Sequence, residues 1–263
     1  MIAALLLLAT YVALGLPAGI VLIPWAVLTG RVMPLYRTAN WIVSMGLRVA
    51  GIRVETQGVD LLPANRACIF MANHISNLDP PALLPQIPGR TSAFVKASLM
   101  KIPVLGFGLR VASFVPVSRS GRVESARDSV AAARRVMAQG IHITTFVEGT
   151  RSQTGRLLPF KKGPFYLAME TGAPCIPISI WGTETMMRKG SLRVVPGTAH
   201  IVFHAPIYPA NFATRMDLLK AVRAAIASGL PERMRNDPSS TDADNHRIND
   251  ENSDNNADEN ATE

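Results

Sequence analysis

The feature that most restricts the fold of this chain is its N-terminus, where residues 1–30 contain no charged side chain. The apolar core of this run ends at about Pro24 and is long enough to cross a bilayer, since about 20 apolar residues suffice. Pro17, Gly19 and Pro24 lie within the run, and we expect them to interrupt a helix there. The sequence therefore predicts a membrane-associated helical segment over residues 1–48.

Three placements of this segment agree with the sequence: a single transmembrane helix, a broken helical pair lying in one leaflet, and a cleaved signal peptide. In the second placement, three aromatic side chains would lie at the headgroup level: Trp25, Tyr36 and Trp41. The signal peptide is least favoured, because no basic residue precedes the apolar run and the run is too long. Three arginines follow the run: Arg31, Arg37 and Arg48. The positive-inside bias therefore predicts that the main domain faces the cytoplasm.

The formal net charge of +8 is unevenly distributed along the chain. Residues 236–263 contain nine acids and one arginine, a net charge of −8, so residues 1–235 carry +16. A body this basic suits an anionic partner, such as lipid headgroups, a phosphorylated substrate, an acidic carrier protein or nucleic acid. The acidic tail is nearly devoid of apolar residues, which predicts that it is disordered.

The two cysteines, Cys68 and Cys175, lie in apolar runs that resemble strands. Two isolated cysteines in such runs form neither a disulfide framework nor a metal-ligand pattern. They predict buried thiols in a reducing compartment.

From residue 51 onwards, short apolar runs alternate with helical patterns. Strands are predicted at 52–56, 67–72, 92–95, 114–117, 141–147 and 175–181. Helices are predicted at 80–84 with Asp79 as its N-cap, and at 123–139, 165–171 and 216–227. A hairpin around Pro196-Gly197, with strands at 194–195 and 199–204, is expected to close the sheet. The alternation indicates an α/β domain over residues 49–235, with a mostly parallel central sheet flanked by helices.

A histidine and an aspartate stand five positions apart in Asn73-His74-Ile75-Ser76-Asn77-Leu78-Asp79-Pro80, where a predicted strand ends. Histidine can accept a proton near neutral pH, and a carboxylate on its other ring nitrogen would orient it. The chain has no Gly-x-Ser-x-Gly elbow and no cysteine in a loop, so the hydroxyl that His74 activates should belong to a substrate. This spacing alone is weak evidence, because it arises often by chance and Asp79 could simply cap a helix.

Basic residues follow the ends of other predicted strands. In Glu148-Gly149-Thr150-Arg151 the glycine allows a tight turn, which places the arginine at the sheet edge where α/β proteins bind ligands. A guanidinium there can hold a phosphate through two parallel hydrogen bonds. Three further bases occupy corresponding positions: Lys96, Arg119 and Lys162. Together they predict a phosphate pocket beside His74.

Four sequence blocks resemble, in order and spacing, those of the glycerophospholipid acyltransferases. The blocks are Asn73-His74-x4-Asp79-Pro80, Phe146-Val147-Glu148-Gly149-Thr150-Arg151-Ser152, Phe160-Lys161-Lys162-Gly163 and Ile176-Pro177-Ile178. The resemblance covers roughly residues 54–206 and is greatest to the bacterial 1-acyl-glycerol-3-phosphate (lysophosphatidate) acyltransferases. Arg119 matches the arginine of a further family block, although Ser113 and Ser118 stand where that block usually has glycine and aspartate.

The resemblance implies that His74 is the catalytic base and that Asp79 orients it. It implies substrate-binding or site-shaping roles for a second group of residues: Glu148, Gly149, Thr150, Arg151, Lys96, Arg119 and Lys162. It implies transfer of an acyl chain to the sn-2 hydroxyl of lysophosphatidate, at the cytoplasmic face of the bacterial inner membrane. Acyl-CoA or acyl-carrier protein would be the donor, as a co-substrate, and no resident cofactor or metal is expected.

Two other functions agree with the same residues. The chain could acylate a different acceptor, such as lyso-ornithine lipid, another lysophospholipid or glycerol 3-phosphate. It could also be a non-catalytic, membrane-anchored protein that binds anionic lipid. Nucleic acid is not an expected partner, because aromatic residues make up only 6 % of the chain and do not alternate with the basic ones.

Overall fold

Two helices form the N-terminal part of the computed structural model, which describes residues 2–64, 66–117, 123–188 and 190–235. They are α1 (Ile2–Thr29) and α2 (Met33–Val49), and they pack against each other. The most apolar 18 residues of α1 have a mean hydropathy of 2.3, and only 11 % of them are buried. A helix of this length and composition can cross a membrane, and its exposure distinguishes it from the core helix of a soluble protein. The structure therefore supports the predicted membrane association.

One detail predicted for this segment is wrong. Helix α1 runs continuously through Pro17 and Pro24, so the prolines do not interrupt it. The ring of Tyr36 is buried within the protein, and its hydroxyl accepts the backbone N–H of Thr91 at 3.1 Å. This bond satisfies a donor at the start of a strand that local sequence patterns could not connect to residue 36.

Seven strands and seven further helices make up the rest of the described chain. The strands are β1 (Ile52–Gln57), β2 (Ile69–Ala72), β3 (Thr91–Lys96), β4 (Val115–Val117), β5 (His142–Phe146), β6 (Cys175–Trp181) and β7 (Gly197–Phe203). The helices are α3 (Asp79–Leu83), α4 (Leu105–Val111), α5 (Val123–Met137), α6 (Gly163–Thr171), α7 (Thr183–Met186), α8 (Arg215–Gly229) and α9 (Glu232–Arg235). Short 3-10 turns occur at Val59–Leu61, Leu84–Gln86, Ala97–Lys101 and Pro209–Asn211. The predicted acidic tail lies outside the described residues.

The strands form one sheet in the order β1-β7-β6-β2-β5-β3-β4. Every adjacent pair is parallel except β6 and β7, which confirms the predicted α/β fold with a mostly parallel sheet. The hairpin predicted around Pro196-Gly197 is wrong: residues 194–195 form no strand, and β7 lies between β1 and β6. The reason is long-range pairing, since β7 aligns parallel to β1 from Ile52↔Gly197 onwards.

The central strand β2 is buried on both faces of the sheet. Ile69 and Met71 pack into a core shared with α5, α6 and α8, whereas Phe70 and Ala72 pack into a second core shared with α2, α3 and α7. Strands covered on both sides leave only their ends accessible, so ligands must approach at the carboxyl edge. The two cysteines are buried free thiols, as predicted.

Candidate active site

The loop between β2 and α3 brings His74 and Asp79 into direct contact. His74 Nδ1 lies 2.7 Å from Asp79 Oδ2. The Asp79 side chain is fully buried, and the His74 side chain is 17 % exposed. A buried carboxylate on one ring nitrogen fixes the tautomer of the imidazole and stabilises its protonated form. The geometry is that of an oriented histidine base.

The Asp79 carboxylate is held by three further donors. Oδ2 also accepts the backbone N–H groups of Ile75 at 2.7 Å and Ser76 at 2.8 Å. Oδ1 accepts the hydroxyl of Thr183 at 2.5 Å. The carboxylate thus faces back into its own loop, and no side-chain cap forms on α3, so the predicted N-cap role of Asp79 is wrong. The N–H donors of the loop compete successfully with those of the first helical turn.

The same loop is fastened to β6 and to the segment that follows it. The Asn73 side-chain amide accepts the backbone N–H of Ile180 at 2.7 Å and donates to its carbonyl at 2.8 Å. The Ser76 hydroxyl donates to the carbonyl of Met187 at 2.8 Å. These contacts hold the backbone of residues 73–79 in one arrangement.

The imidazole of His74 packs against the end of β5. It stacks on the ring of Phe146, with 4.2 Å between the ring centroids and 24° between the planes. Within the described part of the chain, its Nε2 takes part in no hydrogen bond. The ring is therefore fixed at Nδ1 and along one face, while Nε2 is available to a substrate hydroxyl.

Glu148, two residues after β5, is buried beside the dyad. Its Oε1 accepts the backbone N–H of His74 at 2.8 Å, and its Oε2 accepts that of Leu158 at 3.0 Å. Burial raises the pKa of this carboxyl group from 4.5 to about 8, because the loss of solvent outweighs the two N–H bonds and the nearby Arg223. Glu148 therefore joins the β5 turn to the histidine loop.

Arg151 reaches the histidine loop from the β5 turn. Its Nη1 donates to Asn77 Oδ1 at 2.6 Å, and the backbone N–H of Ser152 donates to the carbonyl of His74 at 2.8 Å. Gly149 has a φ of +66°, which allows the tight turn that the sequence predicted. The guanidinium therefore contacts the loop that carries both His74 and Asp79.

A cleft of about 770 Å³ opens beside this loop. Its walls include Ile75 and Ser152 on one side and Thr185 and Arg188 on the other. Ile75 follows His74 in the chain, so the cleft adjoins the loop that carries the dyad.

Comparison with known proteins agrees with this geometry. The family model described as Acyltransferase matches residues 53–181, which include His74, Asp79 and the β5 turn. The chain is 31 % identical over 202 residues to the 1-acyl-sn-glycerol-3-phosphate acyltransferase of Limnanthes alba, which covers 77 % of this chain and 70 % of that protein. The chain belongs to the glycerophospholipid acyltransferase family.

Two other matches are consistent with that membership. The chloroplastic 1-acyl-sn-glycerol-3-phosphate acyltransferase BAT2 of Brassica napus is 35 % identical over 170 residues, or 64 % of this chain, and the chain spans about half (47 %) of its length. The crystal structure of the 1-acyl-sn-glycerophosphate (LPA) acyltransferase PlsC from Thermotoga maritima superposes with a TM-score of 0.71 at 26 % identity, covering 86 % of this chain and 93 % of that one. The chain is thus an acyltransferase with the fold of that structure.

The lysines predicted to bind substrate lie around the same sheet edge. Lys96 is exposed at the end of β3, which pairs with β5. Lys162 is half-buried at the start of α6, and burial together with the neighbouring Arg215 lowers its pKa. Thr150 is exposed in the β5 turn. Arg119 lies outside the described residues, so its role in this acyltransferase stays a prediction.

Ser113 shows why glycine is common at its position in the family. It has a φ of +67°, a left-handed conformation that costs a side chain free energy, and its carbonyl accepts the Ser92 hydroxyl at 2.6 Å. This acyltransferase tolerates the strain because the bond to β3 secures the turn.

Sequence reasoning missed two residues that organise the site. Thr183 binds Asp79 from a position 104 residues away, and Phe146 supports the imidazole. Phe146 stands inside a family block and could have been noticed there, whereas no local pattern marks Thr183. Lys161, which adjoins Lys162 in a family block, lies over the β5 turn, since a Cβ on Gly149 would lie 3.0 Å from its Cγ.

Proposed function

We propose that this acyltransferase transfers an acyl chain from acyl-CoA or acyl-carrier protein to the sn-2 hydroxyl of 1-acyl-glycerol-3-phosphate, giving phosphatidate. The observation that carries the proposal is the 2.7 Å contact between His74 and Asp79, with the Arg151 guanidinium anchored on the same loop. The names of the plant relatives and of the Thermotoga maritima enzyme support lysophosphatidate as the acceptor.

His74 acts as the general base in this reaction. Its Nε2 takes the proton of the acceptor hydroxyl while the hydroxyl oxygen attacks the thioester carbonyl, and Asp79 holds Nδ1–H. The tetrahedral intermediate then expels the donor thiolate, which takes the proton back from the imidazolium. No acyl-enzyme forms, so the relative position of the two substrates supplies much of the rate.

The acceptor phosphate is held by basic side chains at the carboxyl edge of the sheet. Arg151 is the principal candidate, because its hydrogen bond to Asn77 directs it along the loop that carries His74. Lys96 at the end of β3 and Lys162 at the start of α6 add positive charge. Arg119, which lies outside the described residues, is a further candidate from the sequence. The thioester is already an activated acyl group, so the step requires no metal or resident cofactor.

The N-terminal helices keep the site at the bilayer, where the lysolipid and the product reside. The α1 helix can cross a membrane, and its packing on α2 equally suits a helical pair held in one leaflet. By the positive-inside bias, the arginines after α1 support a catalytic domain on the cytoplasmic face, which in this proposal is that of a bacterial inner membrane.

The decisive experiment measures acyl transfer from labelled palmitoyl-CoA to lysophosphatidate by the detergent-purified protein. We expect the wild-type protein to be active and His74→Ala to lose about 10²–10⁴-fold in turnover, the usual contribution of a general base. Membrane binding should be unchanged. His200→Ala is the matched control, because His200 lies on β7 and pairs with exposed Glu55.

Each contrary outcome points elsewhere. Substantial transfer by His74→Ala would remove the base assignment. Inactive wild-type protein would direct the search to acyl-carrier protein as donor and to other lysolipid acceptors. Continued inactivity with these would favour a non-catalytic protein that binds anionic lipid.

A further inference from the structure

The segment between β3 and β4 carries large apolar side chains on its surface. Four of them are between about one third and one half exposed: Leu99 (37 %), Ile102 (45 %), Leu105 (48 %) and Phe107 (48 %). We call this set the α4 ridge. So many large apolar groups in one short segment are unusual on a solvated surface and mark a site of contact with another apolar phase.

The α4 ridge is held in one shape by its own backbone. Val104 has a φ of +61°, which is a strained conformation for a β-branched residue. A side chain at Gly106 would overlap the carbonyl of Met100, and the same carbonyl accepts Arg110 Nη2 at 2.7 Å. The strained backbone at Val104 and the close packing at Gly106 therefore fix the segment in a conformation that exposes these apolar side chains.

The ridge continues the apolar surface of α1. A Cβ on Gly19 would lie 2.7 Å from Val104 Cγ1, and one on Gly108 would lie 3.4 Å from Ile23 Cδ1, so α4 is seated directly on α1. Helix α1 is the candidate membrane span, and its own neighbouring residues Ile20 and Val21 are each 66 % exposed. The apolar phase that covers α1 therefore extends to α4.

Positive charge borders the ridge. Lys96 and Lys101 are both exposed, one before and one at the end of the 3-10 turn that leads into α4. Lysines beside an apolar surface favour a bilayer with anionic headgroups, since the apolar groups enter the acyl region and the ammonium groups stay with the phosphates.

We propose that the α4 ridge inserts into the bilayer beside α1, at the boundary between headgroups and acyl chains. Strand β3 ends at Lys96, and it pairs with β5, which leads to the Arg151 turn. The ridge therefore extends from the sheet edge that carries the dyad. Its insertion turns that edge towards the membrane, so that a lysolipid reaches the site without leaving the bilayer.

The test measures depth in the bilayer with the full chain. Single cysteines are introduced by Leu105→Cys and Phe107→Cys and labelled with an environment-sensitive fluorophore. The native thiols label slowly, because both are buried and burial raises the pKa of Cys68 to about 11 and of Cys175 to about 12. The labelled proteins are reconstituted into phosphatidylglycerol and phosphatidylethanolamine vesicles, with brominated or ordinary acyl chains.

Two matched positions calibrate the signal. Val21→Cys places the probe at an exposed position of α1. Ser228→Cys places it at an exposed position of α8, a helix that packs on the face of the sheet opposite to the face contacted by α1. We expect brominated lipid to quench the probes at 105 and 107 nearly as strongly as the probe at 21. That quenching should be several-fold stronger than at 228, with a blue shift in emission.

Equal quenching at 105, 107 and 228 would overturn the proposal. So would an unquenched probe at 107 that shows energy transfer between differently labelled copies, because a second copy would then cover the ridge. No turnover is measured, so the result is independent of whether the proposed reaction is correct.

Discussion

Glu148 Oε1 lies 2.8 Å from the backbone nitrogen of His74 and accepts its N–H. The bond joins the turn after β5 to the loop after β2, so the two most distinctive sequence blocks meet through a buried side chain and a backbone group. Through this bond Glu148 helps to fix the position of the His74 backbone, and with it the position of the imidazole.

The first prediction concerns the pH dependence of stability. Burial raises the pKa of Glu148 from 4.5 to about 8, so between these values the folded protein holds a proton that the unfolded chain has released. The contribution of Glu148 to stability is therefore complete below pH 4.5 and is lost as the pH rises towards 8, by at most about 1.4 kcal/mol per pH unit.

Glu148→Gln isolates this effect because its side chain cannot titrate. At pH 5 the variant should be less stable than wild type by about 1–3 kcal/mol, since its NH₂ group cannot accept one of the two N–H donors. The difference should shrink as the pH rises to 8. Thermal unfolding of both proteins in detergent measures it, and a difference that stays constant across this range would contradict the raised pKa.

Thr183 should act as a positioning residue for the dyad. Thr183→Val removes the hydrogen bond to Asp79 Oδ1 while keeping the shape of the side chain, and we expect kcat to fall about tenfold with little change in KM. Thr183→Ser keeps the hydroxyl and should restore kcat. If the valine and serine variants have equal kcat, the contact does not orient the dyad.

Arg151→Ala should chiefly raise the KM for lysophosphatidate, by about tenfold to a hundredfold, because a charge-assisted contact to phosphate is lost. The KM for the acyl donor should stay near the wild-type value. Asn77→Ala is the matched variant: it keeps the guanidinium and removes the 2.6 Å bond that directs it, so a smaller rise is expected. An unchanged acceptor KM in Arg151→Ala would take this residue out of the phosphate pocket.

Alanine substitutions at two glycines with similar backbone conformations can distinguish backbone strain from steric crowding by a neighbouring side chain. Gly149 and Gly155 have φ values of +66° and +77°, so alanine at either position should cost about 1–2 kcal/mol of stability. Only at Gly149 would the new Cβ crowd a neighbour, Lys161 Cγ at 3.0 Å, whereas Gly155 has open space. We expect Gly149→Ala to be the less stable variant and the only one with reduced acyl transfer. Equal unfolding temperatures and activities would show that the turn tolerates displacement.

Local sequence patterns predicted much of the fold and of the candidate site of this protein. Period and composition predicted a strand at or near the position of every strand in the described sheet, including one at 199–204 that overlaps β7. Strand β6 was predicted with the bounds Cys175–Trp181 that the structure has. The family blocks predicted that His74, Asp79 and the β5 turn would come together, because the carboxyl ends of neighbouring parallel strands meet at one edge. The substrate roles of these residues remain predictions.

Only the tertiary structure decided which distant groups satisfy each other. The local sequence of residues 194–204 predicts a hairpin. In the structure β7 instead pairs with both β1 and β6, so both of its edges form backbone hydrogen bonds. The local sequence predicts Asp79 as a helix cap, whereas its carboxylate contacts His74 and Thr183 in the structure. Local sequence predicted no partner for Tyr36, and its hydroxyl accepts the backbone N–H of Thr91. In each case a polar group or strand edge has several possible partners. The fold selects the one that pairs the buried group, and this choice depends on contacts that local sequence does not encode.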